Sequence, residues 1–219
     1  MTQPVADPIQ AYINHIGRTL PRLDAVLTIL ADENPTRYHI ECAALHLRMV
    51  LEAIALGSLG ANREAYAQGH AAFAKDWDAT KILARLDGIH PRFYPAPQIP
   101  SESPDPAYGL VISGRHDGFL TRADFPRAYG RLGELLHLEN PFSPPRDRAA
   151  ITGELVALRE SIWMLLYWHT ITVVGDGTLY LIRMKDPSGA PTAIPLTRAG
   201  DLPPEYAEGA DKPDVSAGD

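Results

Sequence analysis

A chain of 219 residues, 45% apolar and 21% charged, is long enough for one sizeable hydrophobic core and ordinary for a globular protein. Its net charge of −7 excludes a surface built as a whole to bind nucleic acid, while leaving room for a small local basic site. Cys42 is the sole cysteine, which excludes an intrachain disulfide framework. The N-terminal stretch Met-Thr-Gln-Pro-Val-Ala-Asp-Pro has no basic segment leading into an apolar one, and no run of about 18 apolar residues follows anywhere. Neither a signal peptide nor a membrane span is expected, and the default location is the cytoplasm.

Helical spacing opens the chain. Ile9, Tyr12, Ile13, Ile16 and Leu20, then Leu23, Val26, Leu27 and Leu30, predict a helix over about Pro8–Ala31, with a kink or break at Pro21. Asn34 followed by Pro35 predicts the start of a second helix, since proline at the first helical position sacrifices no bond. Ile40, Ala43, Ala44, Leu47, Val50, Leu51, Ile54 and Ala55 give this helix a wide apolar stripe, so it is the expected centre of the core. Gly57 and Gly60 are expected at its exit. Two shorter helices follow over residues 63–87, the second capped by Asp76 or Asp78.

Prolines at 91, 95, 97, 100, 104 and 106 exclude a long helix over residues 88–120. A long Pro-rich loop is expected there, with short strands at most near Gly109–Ile112 and Phe119–Leu120. A helix over about residues 121–140 comes next, with Thr121 and Asp124 arranged as in a capping box and Phe125, Tyr129, Leu132 and Leu136 as its apolar stripe. The last helix is expected after Ser143-Pro144-Pro145. β-Branched runs at Thr170–Val174, Thr178–Met184 and Thr192–Thr197, separated by glycine turns, then predict a small antiparallel meander over residues 170–198. The fold expected is mainly α: an up-and-down helical bundle over residues 1–202, ending in that meander. Residues 203–219, acidic and proline-rich, are expected to be a disordered tail. Truncation after Leu202 should therefore leave the melting temperature unchanged in calorimetry; a clear drop would show that the tail packs on the body.

One polar constellation stands out, on the helix at 121–140. Arg131 and His137 lie about 120° apart in azimuth and about 9 Å apart along an ideal helix, and the long arginine can sweep toward the histidine. Such a pair can hold a phosphate and move a proton near neutral pH, the two needs of metal-free RNA cleavage. Glu134, one turn before His137, can orient it. Gly130 and Gly133 lie on the side of His137, so the three form a narrow strip on which a second backbone can press closely, from the same chain or another.

Arg131-Leu-Gly-Glu-Leu-Leu-His137, late in a predominantly helical chain, resembles the HEPN superfamily. The resemblance covers roughly residues 8–170 by helix order. It implies a helical bundle that dimerises, and, in nuclease members, an arginine and a histidine from two chains meeting at the dimer interface to cleave RNA without metal, in defence or toxin–antitoxin settings. Other members are non-catalytic binding or scaffolding modules. Leu132 stands where nuclease members usually carry a polar residue. Two functions therefore remain open: a HEPN-like endoribonuclease with Arg131, His137 and Glu134 in its site and RNA as substrate, or a helical module that dimerises or docks on a protein partner.

Other groupings carry less. His39, Cys42 and His46 share one side of the second helix at a spacing that can hold zinc, but a fourth ligand and a Cys-x-x-Cys pair are lacking. A core cysteine beside half-exposed histidines is expected instead, and no metal or cofactor. Arg37, Glu41, Arg48 and Glu52 read as a charged side of the same helix, or as a face that meets the 121–140 helix with Glu41 or Glu52 holding Arg131. His90-Pro-Arg-Phe-Tyr94 and Gly114-Arg-His-Asp-Gly118 mix basic and aromatic residues that can stack on single-stranded nucleic acid, or are ordinary loop. Signatures of nucleotide-binding glycine loops, serine hydrolases and zinc proteases do not occur.

Overall fold

The computed structural model describes residues 7–70, 73–102, 110–138, 144–173, 177–187 and 189–196, together with Asn140 and Phe142. The expected tail at 203–219 and most of the turn at Gly175-Asp-Gly177 lie outside the described residues.

Among the described residues, seven α-helices and five strands form an α+β fold rather than the expected helical bundle. The first helical stretch is broken in two, α1 (Pro8–Gly17) and α2 (Thr19–Leu30), three residues before the break expected at Pro21. The chain breaks at Arg18, so that Pro21 falls in the first turn of α2, where its missing N–H costs no helical bond. Helix α3 (Arg37–Ala61) is capped by Thr36, not Asn34. Thr36 Oγ1 accepts from the His39 N–H, and the His39 ring accepts from the Thr36 N–H, a reciprocal capping box. Helices α4 (Arg63–Gly69), α5 (Ala79–Ile89), α6 (Phe125–Leu136) and α7 (Arg148–Leu166) follow, with Asp78 capping α5 and Asp147 capping α7.

α3 is the hub, packed by α1, α2, α5, α6 and α7. By length and hydropathy it would pass for a membrane span, but its apolar side is covered by these neighbours. Leu47, Val50, Leu51 and Ile54 are fully buried within it. Gly57 and Gly60 do not end α3; they let α1 cross it. A Cβ at Gly57 would stand 3.3 Å from Tyr12 Cδ2, and one at Gly60 would stand 3.3 Å from Ala11 Cβ.

The sheet corrects the fold class. Strands β3 (Trp168–Thr172), β4 (Leu179–Arg183) and β5 (Thr192–Leu196) make the expected meander, but β1 (Ala96–Glu102) and β2 (Leu110–Gly114) join it in the order β2-β1-β3-β4-β5, all antiparallel. β2 falls on the short strand expected near Gly109–Ile112, β1 comes from a stretch expected to be loop, and Phe119–Leu120 forms no strand. β1 pairs with β3 at Ala96 and Pro97 and with β2 over Gln98–Glu102. Pro100 thus lies where β1 has a neighbour on one edge only, a setting that tolerates a residue without an N–H. Prolines rule out helix, and they do not rule out an extended segment finding a partner strand about 70 residues later. β3 is buried almost throughout, with α7 packed on it and Tyr12 of α1 bonded to His169.

Candidate functional site

Helix α6 is strongly amphipathic. Phe125, Tyr129, Leu132 and Leu135 face the core, and the turn before it is pinned by Thr121, whose hydroxyl accepts from the Asp124 N–H at 3.1 Å. Its inner side meets α3 through a polar network. The Arg48 guanidinium lies 3.8 Å from the centre of the Tyr129 ring and donates to the Tyr129 carbonyl at 3.3 Å. Glu52 accepts from the Tyr129 hydroxyl at 2.9 Å and pairs with Arg48 at 3.4 Å. Burial and the neighbouring Glu52 carboxylate push the Tyr129 phenol up to about 12. The charged face of α3 therefore does meet α6, but Glu52 holds Arg48 and Tyr129, not Arg131. Arg37 and Glu41 pair with each other one turn apart, at 2.6 Å.

The glycine strip divides between two environments. A Cβ on Gly133 would stand 3.1 Å from Arg48 Nη1, so Gly133 makes room for a side chain of its own chain. Gly130 opens into empty space. That space is a groove of about 740 Å³ between α6 and α7. Gly130, Arg131 and Glu134 line one wall, Glu154, Ala157 and Ser161 the other, and Phe119, Leu120 and Leu158 add apolar surface. The Leu120 N–H donates to the Ser161 carbonyl at 3.0 Å, tying the segment before α6 to α7.

Arg131 spans this groove. Its Nε and Nη2 donate to the two oxygens of Glu154 at 2.8 and 3.0 Å, a two-pronged bond, and Nη1 donates to Glu134 at 3.2 Å. Both carboxylates hold the guanidinium pKa above its ordinary value, Glu154 foremost. The structure thus brings Arg131 and Glu134 together. It does not bring Glu134 to His137: among the described residues the His137 side chain has no hydrogen-bond or ion-pair partner, and it stands exposed at the C-terminal end of α6. Glu154, one of a charged series along α7, carried no sequence signal that tied it to Arg131 across 23 residues.

The remaining sequence groupings resolve simply. Cys42 is exposed, correcting the expected core position, and no group of three metal-ligating residues occurs among the described residues. His39 serves the α3 cap. In His90-Pro-Arg-Phe-Tyr94 the aromatics turn inward: Phe93 is fully buried, and Tyr94 donates to the Leu120 carbonyl at 3.1 Å. They form no platform for a base. His116 and Asp117 of the second loop are exposed before Gly118, whose φ of 74° favours glycine.

Sequence reasoning missed one buried pair. His169, on β3, is fully buried, and its Nδ1 lies 2.7 Å from the Leu166 carbonyl. A carbonyl only accepts, so Nδ1 carries the proton and Nε2 is left to accept from the Tyr12 hydroxyl at 2.7 Å. Burial lowers the imidazole to about 4 and raises the Tyr12 phenol well above its ordinary value. The pair ties α1 to the sheet. Tyr12 is visible in the sequence as one apolar position of a stripe; its partner 157 residues away is not.

Comparison of the chain with protein-family models, with curated proteins and with solved structures returns no match. The function therefore rests on the geometry.

Proposed function

We propose that this protein is a non-catalytic interaction module that pairs with a second copy of itself through the groove between α6 and α7. The observation that carries this is the commitment of Arg131. Its charge is matched by Glu154 and Glu134, whereas RNA cleavage asks for a cation in surplus, ready to meet the charge that develops on a phosphorane. The inward aromatics of Phe93 and Tyr94 point the same way.

A second copy suits the groove for two reasons. The rim carries both signs, with Arg127 and Arg131 beside Asp124, Glu134 and Glu154, and a mixed rim is complementary to itself under a twofold axis. Beyond the end of α6, Leu138 and Phe142 are 86% and 93% exposed, two apolar side chains that can serve as anchors.

Sedimentation of the wild type is expected to give a dimer. Gly130→Leu fills the groove from a position with no neighbour within 4 Å, and Phe142→Asp removes an anchor. Each should weaken self-association by about tenfold or more while leaving the helical circular dichroism intact. A wild type that stays monomeric at its highest soluble concentration would overturn the proposal. So would cleavage of structured or unstructured RNA that disappears in His137→Ala and Arg131→Ala, a result that would restore the endoribonuclease.

A further inference from the structure

A second cavity lies at the other side of α6, where the start of α3, the end of α6 and the start of α7 converge. It is smaller, about 220 Å³, and three arginines line it: Arg37, Arg146 and Arg148. Among the described residues Glu41 is the single carboxylate in its lining, and Ile40, Leu135 and Ile151 form an apolar wall. Among its described lining residues, three guanidiniums stand against one carboxylate.

The arginines are set in place by the fold. Arg37 Nε donates to Glu41, one turn on, at 2.6 Å, which fixes the direction of its fork. Arg146 Nη2 donates to the Glu134 carbonyl at 3.3 Å, near the end of α6. Arg148 differs: among the described residues its guanidinium has no hydrogen-bond or ion-pair partner. The nearest acid in sequence, Asp147, is engaged as the α7 cap, accepting from the Ala150 N–H at 3.1 Å. The positive ends of α3 and α7, which begin at Arg37 and Arg148, add to the same potential.

We infer that this cavity binds the phosphate group of a small phosphate monoester whose apolar body rests on Ile40, Leu135 and Ile151. A carboxylate, with two oxygens, is satisfied by a single guanidinium fork. A terminal phosphate offers three oxygens and can accept from more than one fork at once. The volume admits a small molecule and not a folded partner. This site is independent of the α6–α7 groove, and neither proposal needs the other.

Titration calorimetry with phenyl phosphate, inorganic phosphate and benzoate tests it on the full chain. Phenyl phosphate should bind saturably at one site and more tightly than inorganic phosphate, which lacks the apolar body, or benzoate, which lacks the third oxygen. Arg148→Gln should weaken phenyl phosphate binding at least tenfold. Arg148 is exposed, and the variant should keep the wild-type circular dichroism and melting temperature. Glu41→Gln, which leaves the cavity its three cations but loosens Arg37, should weaken binding by a smaller factor. Absence of saturable binding would overturn the inference, as would equal affinity in wild type and Arg148→Gln. Inorganic phosphate or benzoate binding as tightly as phenyl phosphate would also overturn it, because the apolar wall or the third oxygen would then play no part.

Discussion

Leu47→Ala is expected to lower the free energy of unfolding by about 2–5 kcal/mol. Leu47 is fully buried in α3, and α3 has α1, α2, α5, α6 and α7 around it. A helix enclosed by five others cannot shift to fill the void without opening a contact elsewhere, so the cavity persists and the loss falls in that range. Leu45 on the same helix is 47% exposed and serves as the control. Leu45→Ala should cost far less, because its side chain already meets water in the folded state. Urea unfolding of both variants at neutral pH measures the difference. A loss below about 0.5 kcal/mol for Leu47→Ala, the scale of surface sites, would show that the core is centred elsewhere.

Acid should destabilise this protein well before its carboxylates titrate. The His169 imidazole, lowered to about 4 in the folded state by burial, has an ordinary value of about 6.5 once exposed by unfolding. Above about pH 6.5 both states hold it neutral, and its contribution does not vary. As the pH falls below about 6.5 the unfolded chain takes the proton first, so stability drops. The drop continues to about pH 4, where the folded state also protonates, and amounts to about 3 kcal/mol over that window. Asp76, Asp78 and Asp124 are all held below the usual carboxylate range by their hydrogen bonds, so their losses come at lower pH. His46 and His90 are also lowered by burial and add smaller slopes of the same sign. His169→Gln separates the contributions. It should be less stable than wild type at neutral pH, because the Tyr12 and Leu166 bonds are remade imperfectly, yet lose less between pH 6.5 and 4. Parallel stability curves for the two proteins across that window would mean that His169 is not the group that titrates.

The HEPN resemblance rested on Arg131 and His137, and their surroundings show why two residues on one helix say little about a site. Their spacing is a property of α6 alone. Whether the arginine carries free charge depends on Glu154, on another helix, and whether the histidine is oriented depends on what lies beyond the end of α6. The glycines behave likewise. Gly130 and Gly133 sit three residues apart, and one faces a side chain of α3 while the other faces open groove.

The sequence by itself determined the helices whose apolar positions recur at helical spacing, the central place of α3, an aspartate cap for α5 at Asp76 or Asp78, and the three strands of the C-terminal meander. All of these are set by contacts within a few residues or by the match between one period and one buried face. Only the tertiary structure decided that Pro97 and Pro100 belong to a strand, that α1 crosses α3 at Gly57 and Gly60, that His169 meets Tyr12, and that Glu154 neutralises Arg131. Each of these joins residues on different elements, at separations from 12 residues for Pro100 and Ile112 to 157 for Tyr12 and His169. A pairing at such range is chosen by which surfaces the packed core brings together, and no local period or propensity records that choice.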